Sequence, residues 1–139
     1  MAFTKEEIIG KDRKWEDVPK EHQDNILELM SKLNKVRYKW GKPMITTSGY
    51  RYWADHVRIY KQKAEREGKV FDESTIPKGS KHLFGLACDI YDPELKLTKW
   101  LKNNPKILEE IGLWCEEGNS NWVHFQIRPP KSGNRWFLP

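Results

Sequence analysis

The sequence predicts an α+β fold, in which helices pack around a small antiparallel sheet. Stretches with helical apolar spacing alternate with short segments in which apolar and polar residues alternate. The 139 residues are enough for one compact domain and too few for two ordinary ones. Seven Trp, five Tyr and five Phe argue against a disordered chain. We therefore expect residues 1–139 to form a single domain.

The first part of the chain predicts a wrapping segment, a helix and a strand. Residues 1–18 are polar with scattered apolar positions and are expected to wrap the domain. Apolar side chains follow helical spacing over residues 20–39, with Pro19 near the start. The run Gly41-Lys42-Pro43 ends this helix, and residues 44–47 form a short strand candidate.

The remaining predicted elements, in chain order, are a helix over 53–67, a polar loop over 69–81, a strand over 86–91, a helix over 97–111 interrupted at Pro105, and strands over 112–116 and 122–127. The residues between the last two strands are Glu117-Gly118-Asn119-Ser120-Asn121, which favour a turn. These two strands therefore form a β-hairpin candidate.

Composition narrows the function classes. The net charge of +5 favours anionic partners such as nucleic acid, acidic lipid or a cell wall. No recognisable nucleic-acid motif is present, so no nucleic-acid partner is expected.

No apolar run approaches the roughly 20 residues of a membrane span, and acidic residues stand where an export signal would be apolar. Two cysteines make no disulfide framework, which fits a reducing cytoplasm. We expect a monomer.

Two segments carry candidate chemistry, residues 80–89 and residues 122–126. Together they supply two imidazoles and a carboxylate, His82, His124 and Asp89, which are ligand types for zinc. His82 and Asp89 would lie about 23 Å apart on a straight strand and about 10 Å apart on one helix. The chain must therefore fold back between them, and Gly85 is the residue that permits it.

Strand alternation predicts which side chains face a cleft. Asp89 points to the opposite side from Cys88, so Cys88 is not expected to be a ligand. On the later strand, Val123 and Phe125 form an apolar face, whereas His124 lies on the polar face. That polar face also holds Trp122 and Gln126.

These motifs resemble a known family. The pattern Ser-x-His-x-x-Gly-x-Ala-x-Asp over residues 80–89 and the Trp-Val-His run at 122–124 are similar to the zinc D-alanyl-D-alanine carboxypeptidase and L-alanyl-D-glutamate endopeptidase family. Those enzymes cut peptidoglycan stem peptides and include phage endolysins. The run Ser48-Gly49-Tyr50-Arg51 and the tail over 129–135 also match, so the resemblance covers roughly residues 44–137.

The resemblance implies that His82, Asp89 and His124 hold one Zn²⁺. Zinc supplies a nucleophilic water near neutral pH and polarises the scissile carbonyl. Arg51 resembles the arginine that holds substrate or stabilises the developing oxyanion. Ser80 resembles a residue that donates a hydrogen bond to substrate. Tyr50 and Trp122 are further candidates, as walls of the cleft.

The candidate general base departs from the family pattern. Many relatives place a carboxylate three residues before the last histidine, where this chain has Asn121. The nearest acids are Glu116 and Glu117. If Glu116 pairs with Trp122, it shares a face with His124, whereas a shift of one residue presents Glu117 instead. Both residues remain candidates, with Glu116 favoured.

The expected function is a zinc metallopeptidase that hydrolyses peptide bonds in bacterial peptidoglycan, acting as a phage endolysin. Such a protein would stay in the host cytoplasm before its release to the wall, with no separate wall-binding domain. Alternatives are a D,D-carboxypeptidase for wall remodelling, a catalytically silent zinc-containing wall-binding module, and a nucleic-acid-binding domain suggested by charge alone. The bond cleaved stays open, and residues 66–81 are expected to control how open the cleft is.

Other chemically notable residues have ordinary explanations. His22 and His56 are expected to be surface or core residues with satisfied hydrogen bonds. Trp15, Trp40, Trp53 and Trp100 are expected in the core, and Cys115 as a small buried hydrophobe.

Overall fold

A computed structural model describes residues 2–139 and confirms the α+β fold. Its sheet has five strands in the order β1-β2-β4-β3-β5: β1 (Thr46–Ser48), β2 (Ala87–Tyr91), β3 (Trp114–Glu116), β4 (Trp122–Gln126) and β5 (Trp136–Phe137). The first four strands pair antiparallel, as predicted, but β5 joins β3 in parallel. The sheet is therefore mixed. A strand of two residues is too short to show the alternation by which a strand is predicted.

Five α-helices surround the sheet: α1 (Lys5–Ile9), α2 (Lys20–Trp40), α3 (Trp53–Arg66), α4 (Lys96–Asn103) and α5 (Lys106–Ile111). Pro105 separates α4 from α5, as the sequence predicts, since proline cannot continue the hydrogen-bond ladder of a helix. Among residues 2–139, no helix combines the length and apolarity that a membrane crossing requires.

The core lies between helix α2 and one face of the sheet. The helix buries one stripe of side chains, Ile26, Leu29, Leu33 and Val36. The sheet contributes the alternate residues of β2, β3 and β4, namely Cys88, Ile90, Cys115, Val123 and Phe125. Burial raises the pKa of both cysteine thiols, so they are neutral core side chains, as expected for Cys88 and Cys115.

The N-terminal segment completes this core. Phe3, Ile8, Ile9 and Val18 are buried in the same cluster as helix α2 and the sheet. Helix α1 starts with a capping box, in which Thr4 accepts from the backbone of Glu7 and Glu7 accepts from the backbone of Thr4. The backbone N–H of Tyr50 donates to the Ile8 carbonyl at 2.7 Å, which ties the segment to the residues after β1.

Gly85 makes the predicted fold-back between His82 and Asp89. Its φ is +74°, in the left-handed region, and it ends the short 3₁₀ turn Lys81–Phe84. A Cβ at this position would lie 2.7 Å from Cγ1 of Ile26 and 2.9 Å from the carbonyl oxygen of His22. Only glycine satisfies both the backbone conformation and the close approach of α2.

Gly85→Ala should lower the free energy of unfolding by about 3 kcal/mol, since it adds left-handed strain and overpacking against α2. Gly118→Ala is the matched control. Gly118 also has a positive φ, of +86°, but its Cβ would meet nothing within 4 Å. It should cost only the strain of about 1–2 kcal/mol. Urea unfolding of the two variants checks this, and equal losses would contradict a packing role for Gly85.

Candidate active site

Sheet register brings two of the three predicted ligands together. Asp89 on β2 lies directly opposite His124 on β4, and opposite residues in an antiparallel pair share a face. His124 Nδ1 lies 2.8 Å from Asp89 Oδ1. Both residues are 8% exposed. The alternation predicted from sequence therefore holds on both strands, and the site occupies the face opposite the core.

His82 reaches the same point from the 3₁₀ turn before β2. Its Nδ1–H donates to the Gly49 carbonyl at 2.8 Å, and its own carbonyl accepts from the backbone N–H of Arg51 at 3.0 Å. These contacts leave Nε2 facing Asp89 Oδ1 at 3.3 Å. Gly49 is required because a Cβ there would collide with the carbonyl oxygen of Ile8. The residues after β1 thus hold the imidazole from behind.

The three side chains form a donor set suited to a metal ion. One ligand atom from each of His82, Asp89 and His124 lies within 4.8 Å of the others, and all three residues are buried. Within residues 2–139, this is the group of such side chains that could hold an ion. Two imidazole nitrogens and a carboxylate are a ligand set that zinc accepts while leaving a coordination position open. The residues present therefore fit a single metal ion.

Electrostatics at this site favour a positive charge between the donors. Burial by itself raises the pKa of Asp89, but hydrogen bonds and charge from His124 and His82 outweigh it and hold the pKa well below its usual range. Burial lowers the pKa of His124, yet the hydrogen bond and charge of Asp89 raise it overall. The carboxylate is thus ionised and attracts a proton or a cation to the ligand nitrogens.

Gln126 is a site residue whose role the sequence did not reveal. Its Oε1 accepts from His124 Nε2–H at 2.9 Å, and its Nε2 donates to the Arg128 carbonyl at 2.9 Å. The second bond fixes which end of the amide faces the histidine, so Nε2 of His124 carries a proton and Nδ1 faces Asp89, where a metal ion would bind. The sequence did place Gln126 on the polar face of β4. Strand alternation cannot show, however, whether an amide on that face orients a histidine or only contacts water.

Gln126→Met should weaken binding of added Zn²⁺ by about 10–100-fold, since it removes the acceptor that orients His124. Gln126→Glu keeps the acceptor for His124 Nε2–H, although it loses the donor to the Arg128 carbonyl, and should bind Zn²⁺ more tightly than Gln126→Met. Competition with a chromophoric chelator measures both affinities without reference to activity. Wild-type affinity in Gln126→Met would show that the tautomer is set by other contacts.

A cavity of about 1030 Å³ opens over the three candidate ligands. It brings together most of the predicted site residues, namely Arg51, Ser80, His82, Asp89, Glu116, Trp122 and His124. Pro77, Gly79 and Lys81 also line it, so the end of the 66–81 segment borders the cleft. Residues 129–132, which belong to the tail that matches the family pattern, and residues 137–139 form another part of the rim. The side chain of Arg51 is positioned by its Nε–H, which donates to Ser48 Oγ at 3.2 Å.

The register between β3 and β4 distinguishes the two candidate general bases, Glu116 and Glu117. Trp114 lies opposite Gln126 and Cys115 opposite Phe125, and continuing this register places Glu116 beside His124. The predicted pairing of Glu116 with Trp122 was wrong by two residues. Because side chains alternate along a strand, a shift of two residues still leaves Glu116 on the same face as His124. Glu116 lines the cavity. Glu117 instead forms an ion pair with Lys102 at 2.8 Å.

Tyr50 and Trp53 lie elsewhere than expected. Tyr50 lines a neighbouring cavity of about 710 Å³, where its hydroxyl is hydrogen bonded to His22 Nδ1 at 2.8 Å. The prediction that Trp53 is a core residue was wrong, because it is 41% exposed at the start of α3. The other three, Trp15, Trp40 and Trp100, pack against the core as expected.

His56 is a buried core residue, as predicted, although among residues 2–139 its Nδ1 has no hydrogen-bond partner. It is fully buried, and its Nε2–H donates to the Pro77 carbonyl at 2.8 Å. This bond ties helix α3 to the segment that leads to Ser80.

A buried His-Asp-His group beneath an open cleft on an α+β fold is typical of a hydrolase that uses one metal ion. Comparison with protein-family models gives a more specific result. The model described as VanY, D-alanyl-D-alanine carboxypeptidase, matches residues 19–134, and the chain belongs to this family. This confirms the resemblance seen in the motifs, and makes the protein a peptidase with a D-Ala-D-Ala carboxypeptidase type of function on peptidoglycan. Searches of curated proteins and of solved structures found no match.

Proposed function

We propose that the protein is a zinc-dependent peptidase that hydrolyses a peptide bond in peptidoglycan stem peptides, with His82, Asp89 and His124 as the metal ligands. The observation that carries this proposal is the convergence of their three ligand atoms within 4.8 Å at the base of an open cavity. When bound, zinc would activate water and polarise the scissile carbonyl.

The chain's own residues would complete the reaction. Glu116, on the cavity wall beside His124, would accept a proton from the attacking water and return it to the leaving nitrogen. Arg51, held by Ser48, would donate to the oxygen on which negative charge develops. Ser80 and Trp122 line the same cavity and would position the substrate backbone.

The charge of the cavity suits an acidic peptide. Four of its lining side chains are cationic, namely Arg51, Lys63, Lys81 and Lys131, against the two carboxylates Asp89 and Glu116. Stem peptides carry free carboxylates, which such a rim would attract and orient. The cationic rim therefore supports a stem peptide as the substrate.

Digestion of purified peptidoglycan tests the proposal, with product masses measured by mass spectrometry. We expect cleavage that stops in a chelator and returns when zinc is restored. Release of terminal D-alanine would identify a carboxypeptidase, and a cut within the stem an endopeptidase. Activity that survives complete metal removal would overturn zinc dependence. Binding to the wall without any cleavage would instead support the alternative of a catalytically silent wall-binding module.

We further propose that the peptidase serves as a phage endolysin, held in the host cytoplasm until it reaches the wall. The net charge of +5 supports this role, because the bacterial wall is anionic. Expression in a bacterial host should cause lysis only when the membrane is permeabilised separately. Unchanged cell turbidity after permeabilisation, with active protein present, would argue for wall remodelling instead.

A further inference from the structure

We propose that the aromatic cavity beside the active site binds a sugar ring of the peptidoglycan glycan strand, an N-acetylated amino sugar. The aromatic cavity is the 710 Å³ space lined by His22, Tyr50, Arg51, Tyr52, Trp53 and Phe84, among others. This inference rests on the proposed function, since it concerns the part of the same substrate that lies next to the stem peptide.

The rings of the aromatic cavity are held in fixed positions by one another. His22 packs edge-on against Tyr50 and Phe84, with ring centroids 5.6 and 5.7 Å apart. Tyr50 packs edge-on against Tyr52 at 5.1 Å. A hydrogen bond between the Tyr50 hydroxyl and His22 Nδ1 adds to this. The surface is therefore preorganised, which lowers the entropy lost when a ligand binds.

Two of these aromatic residues are partly exposed to solvent. Trp53 is 41% exposed and Phe84 is 39% exposed. Large aromatic side chains are normally buried because each removes a large apolar area from water. Two such side chains lining one concave surface form an apolar platform that is left uncovered.

The chemistry of the aromatic cavity suits a pyranose. One face of a sugar ring presents C–H groups, which pack against the electron-rich face of an aromatic ring. Its hydroxyl and acetamido groups then need polar partners at the edges. Asp17, Arg51 and Lys78 line the same cavity and supply an acceptor and donors. Apolar walls with a few polar groups are typical of ligand sites.

Arg51 connects the aromatic cavity to the catalytic cavity, the 1030 Å³ space over the candidate metal ligands, since it lines both. Its backbone N–H also donates to the carbonyl of the ligand His82. A stem peptide is covalently joined to an amino sugar of the glycan strand, so a stem bond held at the candidate metal ligands has a sugar within about 4 to 14 Å along an extended chain. The two adjoining cavities therefore match the two parts of one substrate.

This arrangement favours cleavage near the glycan strand. The bond after the first stem residue lies one residue from the sugar, about 4 Å along an extended chain, whereas the terminal bond of a five-residue stem lies about 14 Å away. A sugar in the adjoining aromatic cavity is therefore compatible with the alanyl-glutamate bond, whereas cleavage of the terminal D-alanine bond would require the stem to span about 14 Å between the two cavities.

The test compares kcat/KM for two substrates, a stem peptide carrying its disaccharide and the same peptide without it. Wild type should prefer the sugar-linked substrate by about tenfold or more, and Trp53→Ala and Phe84→Ala should each remove most of that preference. Tyr38→Ala is the control, because Tyr38 is 89% exposed on helix α2. Circular dichroism should show that all three variants, Trp53→Ala, Phe84→Ala and Tyr38→Ala, keep the fold.

A binding measurement separates this inference from the proposed function. Titration with the free disaccharide should shift the Trp53 indole N–H signal in NMR spectra, and this outcome does not require cleavage. If the protein binds the disaccharide but cuts neither substrate, the proposed peptidase activity is wrong and the sugar site is supported. No shift with the disaccharide, together with unchanged preference in both variants, would overturn the sugar site. A shift with the stem peptide alone would make the aromatic cavity a peptide subsite and also overturn it.

Discussion

Glu116→Gln is expected to lower kcat by about 10²–10⁴-fold, the usual contribution of a general base. The side chain lines the catalytic cavity, and the β3–β4 register places it beside His124. Glutamine has nearly the same shape but cannot accept a proton from water. Steady-state kinetics on a defined stem peptide, with the zinc content of each preparation measured, gives the result. Metal content should stay at the wild-type level.

Glu117→Gln is the matched comparison, one residue further along the chain. Glu117 pairs with Lys102, and their side chains are 35% and 43% exposed. Loss of a surface ion pair of this kind costs at most about 1 kcal/mol of stability. We expect a change in kcat of less than twofold. If Glu117→Gln is the slower variant, the proposed base is wrong and the other acid acts in its place.

The face on which two of the candidate metal ligands lie was predictable because strand alternation has a strict period of two. Asp89 and His124 each lie on the polar side of an amphipathic strand, and no register that buries Phe125 could turn His124 into the core. Gly85 was predictable as a hinge because two ligands seven residues apart cannot meet without a reversal. These placements needed residue order and elementary geometry, whereas the assignment of the three residues as one ligand set came from the family resemblance.

The remaining features depend on contacts between distant parts of the chain. The Ser48-Gly49-Tyr50-Arg51 motif could be recognised, but not why Gly49 is needed, since the reason is the close approach of Ile8 from helix α1. The exposure of Trp53 is equally unpredictable, because helical spacing near the start of a helix does not show which side chains the core will cover. Long-range packing decides both.

Electrostatic and packing arguments agree on how the site is built. The carbonyl of Gly49 orients His82, the amide of Gln126 orients His124, and the carboxylate of Asp89 faces both imidazoles. Each imidazole thus has one nitrogen engaged by the protein and the other directed to the common point. Such outer contacts raise metal affinity by preventing the rings from rotating.

Asp89→Asn is expected to reduce Zn²⁺ affinity by at least about a hundredfold and kcat/KM by about a thousandfold. The carboxylate is the one negatively charged ligand of the three. An amide provides an oxygen of similar size but no charge to attract the cation. The structural consequence should be small because the volume is conserved. Isothermal titration with Zn²⁺ gives the affinity, and a thermal shift on adding zinc, present in wild type and absent in the variant, gives an independent measure.

Asp92→Asn provides the control, since it alters a buried carboxylate just after the same strand. Asp92 accepts from the backbone N–H groups of Leu97 and Thr98 and from the Thr98 hydroxyl, so it caps the start of helix α4 and lies outside the metal-ligand group. Its replacement should lower the free energy of unfolding by about 1 kcal/mol and leave zinc stoichiometry unchanged. Wild-type zinc affinity in Asp89→Asn would remove Asp89 from the ligand set, and with it the single-ion centre on which the proposed chemistry rests.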